Sequence, residues 1–201
     1  MQKQLIKWYQ ENKRDFPWRK DQDPYHIWIS EIMLQQTTTE TVIPYYNRFL
    51  KNFPNVEALA SASLEEVYKM WEGLGYYRRA KHIHESAQII LEKYQGVFPY
   101  EYDAILSLKG IGEYTAGAIS SIAYGKQVPA VDGNVLRIIS RYYLIKENIA
   151  ETKVQKKIYQ IVQELILNHD ASAFNQGMMD LGATICKPVH PLCLECPIQK
   201  G

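Results

Sequence analysis

Apolar positions recur at helical spacing along almost the whole chain, and no pair of segments alternates with the period of two that marks half-buried strands. "PYHIWISEIMLQQ" (24–36) carries apolar residues on every face, the pattern of a buried helix, with Ser30 and Glu31 interrupting it. The "TTTE" that follows predicts a capping box of Thr37 with Glu40 and a helix running to about Leu50. "SLEEVYKM" repeats that signal with Ser63 and Glu66. "YRRAKHIHESAQIILEKYQG" (77–96) predicts a long helix closed by Gly96, and "EYDAILSL" a short one. "GEYTAGAISSIAYG" (112–125) predicts a helix of small residues that permits close backbone approach. "GNVLRIISRYYLI", "TKVQKKIYQIVQELILN" and "ASAFNQGMMDLGATIC" complete the set, and residues 128–131, around Pro129, read as an extended connector. There is no internal repeat, low-complexity segment or linker, so the predicted fold class is all-α, with many short helices and tight turns.

Composition narrows the partners. A chain of 201 residues, 46% apolar, suits one large or two small domains with a real core. No apolar run reaches the roughly 18 residues that span a membrane, and "MQKQLIKWYQENKR" lacks the apolar core of a secretory signal. The expectation is a soluble intracellular protein, cytoplasmic or at the nucleoid, without a membrane partner. A formal net charge of +1, from 23 Lys+Arg against 22 Asp+Glu, excludes a strongly basic scaffold but leaves room for a local basic face that binds nucleic acid. Cys186, Cys193 and Cys196 are the only cysteines, and their crowding points to metal more than to disulfides.

Lys109, Gly110, Ile111 and Gly112 join two helices within "LSLKGIGEYTAGA". The glycines permit positive φ and bring bare backbone N–H groups to a surface. The next helix starts there, so its free N–H groups and the positive end of its dipole complete a cradle for one phosphate. A tight helical hairpin that uses glycine only for the turn fits the same four residues.

The surroundings of that turn favour the cradle. L-x-G-x-G opening a small-residue helix, with Asp132 of "VDGNV" twenty residues beyond Gly112 (132 − 112), resembles the helix-hairpin-helix DNA glycosylases. "FPWR" (16–19), "SEIMLQQT", "WEGLGYYRRAK", "LKGIGEYTAGAI", "VDGNVLRI", "FNQGMMDLGATIC" and the cysteine run together resemble, in order and over essentially the whole chain, the catalytic domain of adenine DNA glycosylases of the MutY type. The resemblance implies two helical lobes with an active-site cleft between them. One is a six-helix barrel with the helix-hairpin-helix, over 21–129; the other comprises N- and C-terminal helices, over 1–20 and 130–201, with a cysteine cluster loop. It further implies a monomer that acts in base excision repair on double-stranded DNA, hydrolysing the N-glycosidic bond of adenine mispaired with 8-oxoguanine or guanine.

Breaking that bond passes through an oxocarbenium-like transition state, which asks for a proton on the leaving base and a negative charge near the sugar. Two carboxyl groups in different environments divide those tasks. Glu31, on a helix whose other faces are apolar, suits the acid, because desolvation favours the protonated form; a buried Glu paired to an Arg is the plainer reading. Asp132, at a helix start before Gly133 and Asn134, suits the anion; an ordinary N-cap is the plainer reading there. The resemblance implies that Glu31 protonates adenine N7 and that Asp132 stabilises the sugar cation, with Asn134 and Tyr114 beside it. Strand-cleaving relatives such as endonuclease III carry a lysine at the place of Tyr114. A phenol cannot form a Schiff base, so a monofunctional enzyme is expected.

By the same resemblance, Arg14, Trp18, Leu34 and Gln176 line the adenine pocket, and Gln36 and Tyr76 fill the duplex near the opposite purine. Gln35, Thr37, Gly110 and Gly112 contact the DNA. Arg78, Arg79 and Lys81 open a helix as phosphate contacts or as a solvated charged face. Cys186, Cys193 and Cys196 match the first three cysteines of the family's C-x6-C-x2-C-x5-C cluster motif. The fourth belongs just past Gly201, so the native chain is expected to carry a [4Fe–4S] cluster that this stretch alone holds poorly. A C-terminal domain that helps read 8-oxoguanine has no counterpart here, so weaker preference for 8-oxoguanine over guanine is expected. Leu136 stands where some relatives have a lysine near Asp132. The alternatives are a mismatch thymine glycosylase of the same superfamily, a non-catalytic helix-hairpin-helix DNA-binding module, and an iron–sulfur protein devoted to electron transfer.

Overall fold

The computed structural model describes residues 1–199, and their regular structure is helical. The helices are α1 (Gln2–Asn12), α2 (Pro24–Leu34), α3 (Thr39–Asn52), α4 (Val56–Ser61), α5 (Leu64–Trp71), α6 (Arg78–Tyr94), α7 (Tyr102–Leu106), α8 (Glu113–Tyr124), α9 (Gly133–Tyr142), α10 (Thr152–Ile166) and α11 (Ala171–Thr184). Two 3-10 turns, Pro17–Arg19 and Cys193–Glu195, complete them, and no strand occurs among the described residues. The all-α expectation holds. Residues 128–131 are a connector without regular structure, and among the described residues no helix is long and apolar enough to cross a membrane.

Local chemistry sets the helix ends. Asp23 accepts the Tyr25 N–H at 2.8 Å, and Pro24 brings a φ already suited to the first turn of α2. Ser63 and Glu66 form the expected reciprocal box, with the Ser63 N–H on Glu66 Oε2 at 2.7 Å and the Glu66 N–H on Ser63 Oγ at 3.2 Å. α6 closes where Gln95 and Gly96 both turn left-handed, at φ 55° and 79°. One cap is displaced by a residue: Thr38, not Thr37, caps α3, accepting the Thr41 N–H at 3.4 Å, while Glu40 accepts the Thr39 hydroxyl at 2.9 Å. Thr37 is committed to the preceding turn, where its N–H donates to the Leu34 carbonyl at 3.2 Å and its hydroxyl to that of Gln35 at 3.4 Å.

The chain forms two compact units, Asp15–Ile119 and Met1–Arg14 together with the chain from Ser120 onward. In the mid-chain unit α6 packs against α2, α4 and α5, and α3 against α2 and α5. Trp28, Met33, Phe49, Leu59, Trp71 and Ile90 fill its core, with Phe49 edge-on to Trp71 at 6.0 Å between ring centres. α2 buries eight of its eleven residues, as its all-round apolar pattern requires. In the terminal unit α1 packs on α11, α11 on α9 and α9 on α10, around Leu5, Ile139, Ile158, Phe174, Met178 and Leu181.

α9 and α11 approach closely because Gly182 has no side chain. A Cβ at that position would lie 2.5 Å from the Cβ of Asn134, an atom fixed to the backbone of α9. Gly182→Ala must therefore push the two helices apart and is expected to cost about 1–3 kcal/mol of stability in urea unfolding. Gly133→Ala, whose new Cβ meets nothing within 4 Å, leaves stability unchanged or slightly raised. Equal stability of Gly182→Ala and the wild type would refute this account of the crossing.

Candidate active site and nucleic-acid interface

Glu31 sits on α2 at 7% exposure, with Ile27, Trp28, Ile29, Ile32 and Met33 of the same helix buried. The neighbouring Ser30 is satisfied within the helix, its hydroxyl donating to the Ile27 carbonyl at 2.8 Å. Arg79 is the one arginine buried among the described residues, and its guanidinium is given to carbonyl oxygens. Nη1 donates to Ile32, Met33 and Gln35 at 2.9, 2.9 and 2.6 Å, and Nη2 to Leu74 and Gly75 at 3.4 and 3.3 Å. The first three are carbonyls of the last turn and C-cap of α2, where the helix dipole is negative and the i+4 N–H of a continuing helix is missing; Ile32 also accepts the Gln35 N–H at 3.4 Å. Burial pushes the guanidinium below its ordinary pKa, opposed in part by Tyr76. Arg79 is therefore neither a phosphate contact nor part of a solvated face, which corrects the expectation for "YRRAK"; Arg78 and Lys81 beside it are exposed.

Beyond Leu34, which is half-buried, the backbone turns left-handed at the exposed Gln36, with φ 57°. Tyr76, 65% exposed, does the same with φ 49°. Gln35, Gln36 and Tyr76 line one open groove of about 350 Å³ with Arg78, Arg79 and His82. Tyr77 instead packs edge-on against Tyr68 at 5.7 Å. Trp18 is buried, stacked on Phe16 at 4.9 Å and edge-on to Tyr46 at 5.5 Å. At the hairpin, Gly110 has φ 78° and a Cβ there would lie 2.9 Å from His82 Nδ1, whereas Gly112 has open space around it and an ordinary φ. Glu85 lies within 3.0 Å of the Lys109 ammonium, which holds its carboxyl below the usual carboxylate range. Tyr114 lies in the first turn of α8, half-buried.

In the terminal unit Asp132 is the N-cap of α9, as the plainer reading had it. Its Oδ1 accepts the Val135 N–H at 2.9 Å and its Oδ2 the Asn134 amide at 2.7 Å, so two donors and the positive end of α9 face one carboxyl. Asn134 is in turn held by Arg137, whose Nη2 donates to Asn134 Oδ1 at 2.7 Å and to the Gly182 carbonyl at 2.9 Å, and whose Nε donates to the Cys186 carbonyl at 2.8 Å. Asn175 pins the connector before Asp132: its amide donates to the Val128 carbonyl at 2.9 Å and it accepts the Ala130 N–H at 3.2 Å. Arg137, Asn175 and Gly182 were missed from sequence, although the i, i+3 spacing of Asn134 and Arg137 and the Asn175 amide in "FNQG" are visible there. Gln176 is buried on α11, bonded to Ser172 at 3.0 Å, and Leu136 packs against the core of this unit. Arg14 forks onto the buried Asp180, at 2.8 and 2.6 Å.

The three cysteines are free thiols, with Cys186 and Cys196 half-buried and Cys193 exposed. Burial pushes the Cys196 thiol up, against the backbone hydrogen bond of Ile198, and Cys186 and Cys193 raise it further. Among the described residues no group of three or more His, Cys, Asp or Glu side chains is gathered tightly enough to enclose a metal ion. Arg141 donates to Cys186 Sγ at 3.4 Å and to the Lys187 and Pro188 carbonyls at 2.8 and 3.1 Å, bracing the loop from α9. The donors are thiols, the ligand type of iron–sulfur groups, on a loop that Arg141 braces, but the described residues do not gather them into a complete site.

Comparison with known proteins gives the family and the fold. The family described as HhH-GPD superfamily base excision DNA repair protein matches residues 29–164. The chain is 47% identical over 197 residues to the adenine DNA glycosylase of Buchnera aphidicola subsp. Acyrthosiphon pisum, a match covering 98% of this chain and 56% of that protein. The chain thus spans about half the length of the curated relatives it matches. Among solved structures, a thermostable thymine-DNA glycosylase superposes with a TM-score of 0.88 at 32% identity, over 96% of this chain and 89% of its own. An endonuclease III in a non-covalent complex with DNA superposes with a TM-score of 0.80 at 22% identity, over 97% and 88%, a likeness of fold. With more than half of its residues inside the family match and its helices superposing on a relative at 32% identity, the chain belongs to the HhH-GPD superfamily of base excision DNA repair proteins.

Proposed function

We propose that the protein is a monofunctional DNA glycosylase that hydrolyses the N-glycosidic bond of adenine mispaired with 8-oxoguanine or guanine, working as a monomer inside the cell. The observation that carries the reading is the buried carboxyl of Glu31 on the otherwise apolar α2. The higher identity to an adenine glycosylase (47%) than to a thymine glycosylase (32%) supports adenine as the base.

In this reading the adenine is turned out of the stack; the resemblance to the family assigns Arg14, Trp18, Leu34 and Gln176 to the base, and Gln35, Gln36, Thr37 and Tyr76 to the gap it leaves. The backbone at Gly110 and Gly112 takes a phosphate. Glu31 gives its proton to N7, and the C1′–N9 bond breaks with its electron pair leaving on the base. The sugar cation is met by the Asp132 carboxylate, whose orientation Val135 and Asn134 hold. Water adds to C1′ and returns a proton to the carboxylate system, leaving an abasic site. Tyr114 offers no amine for a Schiff base, so the strand stays intact. Cys186, Cys193 and Cys196 would hold a [4Fe–4S] cluster, which when bound ties the loop as a thiolate-ligated brace and takes no electron part in hydrolysis.

Duplexes carrying A:8-oxoguanine, A:G, T:G and A:T, incubated with the protein and split into untreated and alkali-treated halves, test the reading. The first two are expected to break at the adenine only after alkali, and the other two to stay whole. Breakage at T:G alone would establish the thymine alternative, and breakage without alkali would contradict the role given to Tyr114.

Iron and acid-labile sulfide are expected in the full-length protein purified without oxygen, and Cys193→Ser is expected to lower both together with the visible absorbance of the cluster. Full-length protein free of iron and sulfide, with activity intact, would remove the cluster from the account.

A further inference from the structure

We infer that Arg79 is a positioning residue that ties Gln36 and Tyr76 into one rigid, two-pronged edge for entering a DNA base stack. The inference rests on the DNA-glycosylase reading above and adds to it the part of the molecule that sets the geometry of insertion.

Gln36 and Tyr76 are non-glycine residues in the left-handed region, at φ 57° and 49°. Such backbone is strained for a side chain with a Cβ and persists only where the surroundings over-determine it. Both residues are exposed, so burial of their own side chains does not hold them there. A single buried guanidinium reaches both turns. Nη1 takes the Gln35 carbonyl, immediately before Gln36, at 2.6 Å. Nη2 takes the carbonyls of Leu74 and Gly75, immediately before Tyr76, at 3.4 and 3.3 Å. The Arg79 backbone N–H donates to the Tyr76 carbonyl at 2.9 Å, and the guanidinium carbon lies 5.5 Å from the Tyr76 ring centre. The two turns are some forty residues apart in sequence, and this one planar group fixes the distance between them.

Stability alone is a poor reason for this arrangement. The cation is buried with no carboxylate among its partners, and its Nε–H is buried without any partner. Both features cost free energy that an apolar residue would not. What the arrangement provides is a ring and a planar amide standing on one groove beside the exposed Arg78, which is the chemistry of a base stack with a phosphate backbone next to it. A lysine retains the charge but has a single ammonium, which cannot fork onto both sets of carbonyls.

The test is a binding and double-mutant series on duplexes with a non-cleavable adenine analogue opposite 8-oxoguanine, alongside a fully matched duplex. Arg79→Lys is expected to weaken mispair binding by roughly tenfold or more while matched-duplex binding, set by phosphate contacts, moves by less than about threefold. Tyr76→Ala is expected to do the same, and the Arg79→Lys/Tyr76→Ala double variant to lose no more than the worse single variant. Losses that multiply independently, or an unchanged mispair preference in folded Arg79→Lys, would overturn the inference. If Arg79→Lys does not fold, hydrogen exchange of the wild type decides: the Thr37 and Leu74 amides, each bonded within one of the two turns, are expected to be protected and to open together without DNA. Exchange of either at the rate of an open loop would overturn it. If the wild type shows no preference for the mispair at all, the proposed function has failed, a result distinct from a preference that Arg79→Lys leaves untouched.

Discussion

A guanidinium buried without a carboxylate is the interaction on which the mid-chain unit turns. Arg79 carries a full charge into a protein interior, where an unpaired ion is costly. It is tolerated because α2 ends there and presents, at the negative end of its dipole, carbonyls that lack the i+4 N–H of a continuing helix. Each solves the other's problem: the helix end finds donors, and the cation finds a set of oriented partial charges. The end of α2 is thereby fixed to the start of α6, and Glu31 lies within one turn of that fixed end. On the function proposed above, an acid that must meet one ring nitrogen gains from such a mount, since small errors of placement are expensive in catalysis.

The terminal unit solves a comparable problem with the opposite sign. Asp132 stands at the positive end of α9 and receives an N–H on each oxygen. The amide that makes one of those bonds is held by Arg137, which also grips the backbone at Gly182 and Cys186. The close crossing at Gly182, the orientation of Asn134 and the start of the cysteine loop are therefore parts of one hydrogen-bonded network. A plain N-cap and a functional anion are not competing descriptions of Asp132, because the geometry that caps the helix is also what holds the carboxyl still.

Much of this was legible in the sequence wherever the cause is local. The period of the apolar positions gave the all-α class, and the all-round apolar pattern gave the burial of α2. Ser63 with Glu66 and the left-handed close at Gly96 follow from chemistry within a few residues. What was misread depends on distant partners. Thr37 has the sequence of a cap but is already bonded into the turn before it. Arg79 sits in a basic run that looks like a surface, and only carbonyls more than forty residues earlier in the chain explain its burial. Arg137, Asn175 and Gly182 act through contacts with other helices, which no periodicity reports. The chemistry was approached through the resemblance of several motifs in one order, and the family match over residues 29–164 accords with it.

The central claim is that one buried carboxyl on a clamped helix acts as the acid of base release. Single-turnover release of adenine from a mispaired duplex by Glu31→Gln tests it most directly, since Gln keeps the shape and can still hydrogen-bond but has no proton to give. The account predicts a fall in rate of about a hundredfold or more, with duplex affinity and thermal stability near those of the wild type. Release by Glu31→Gln at the wild-type rate would contradict it.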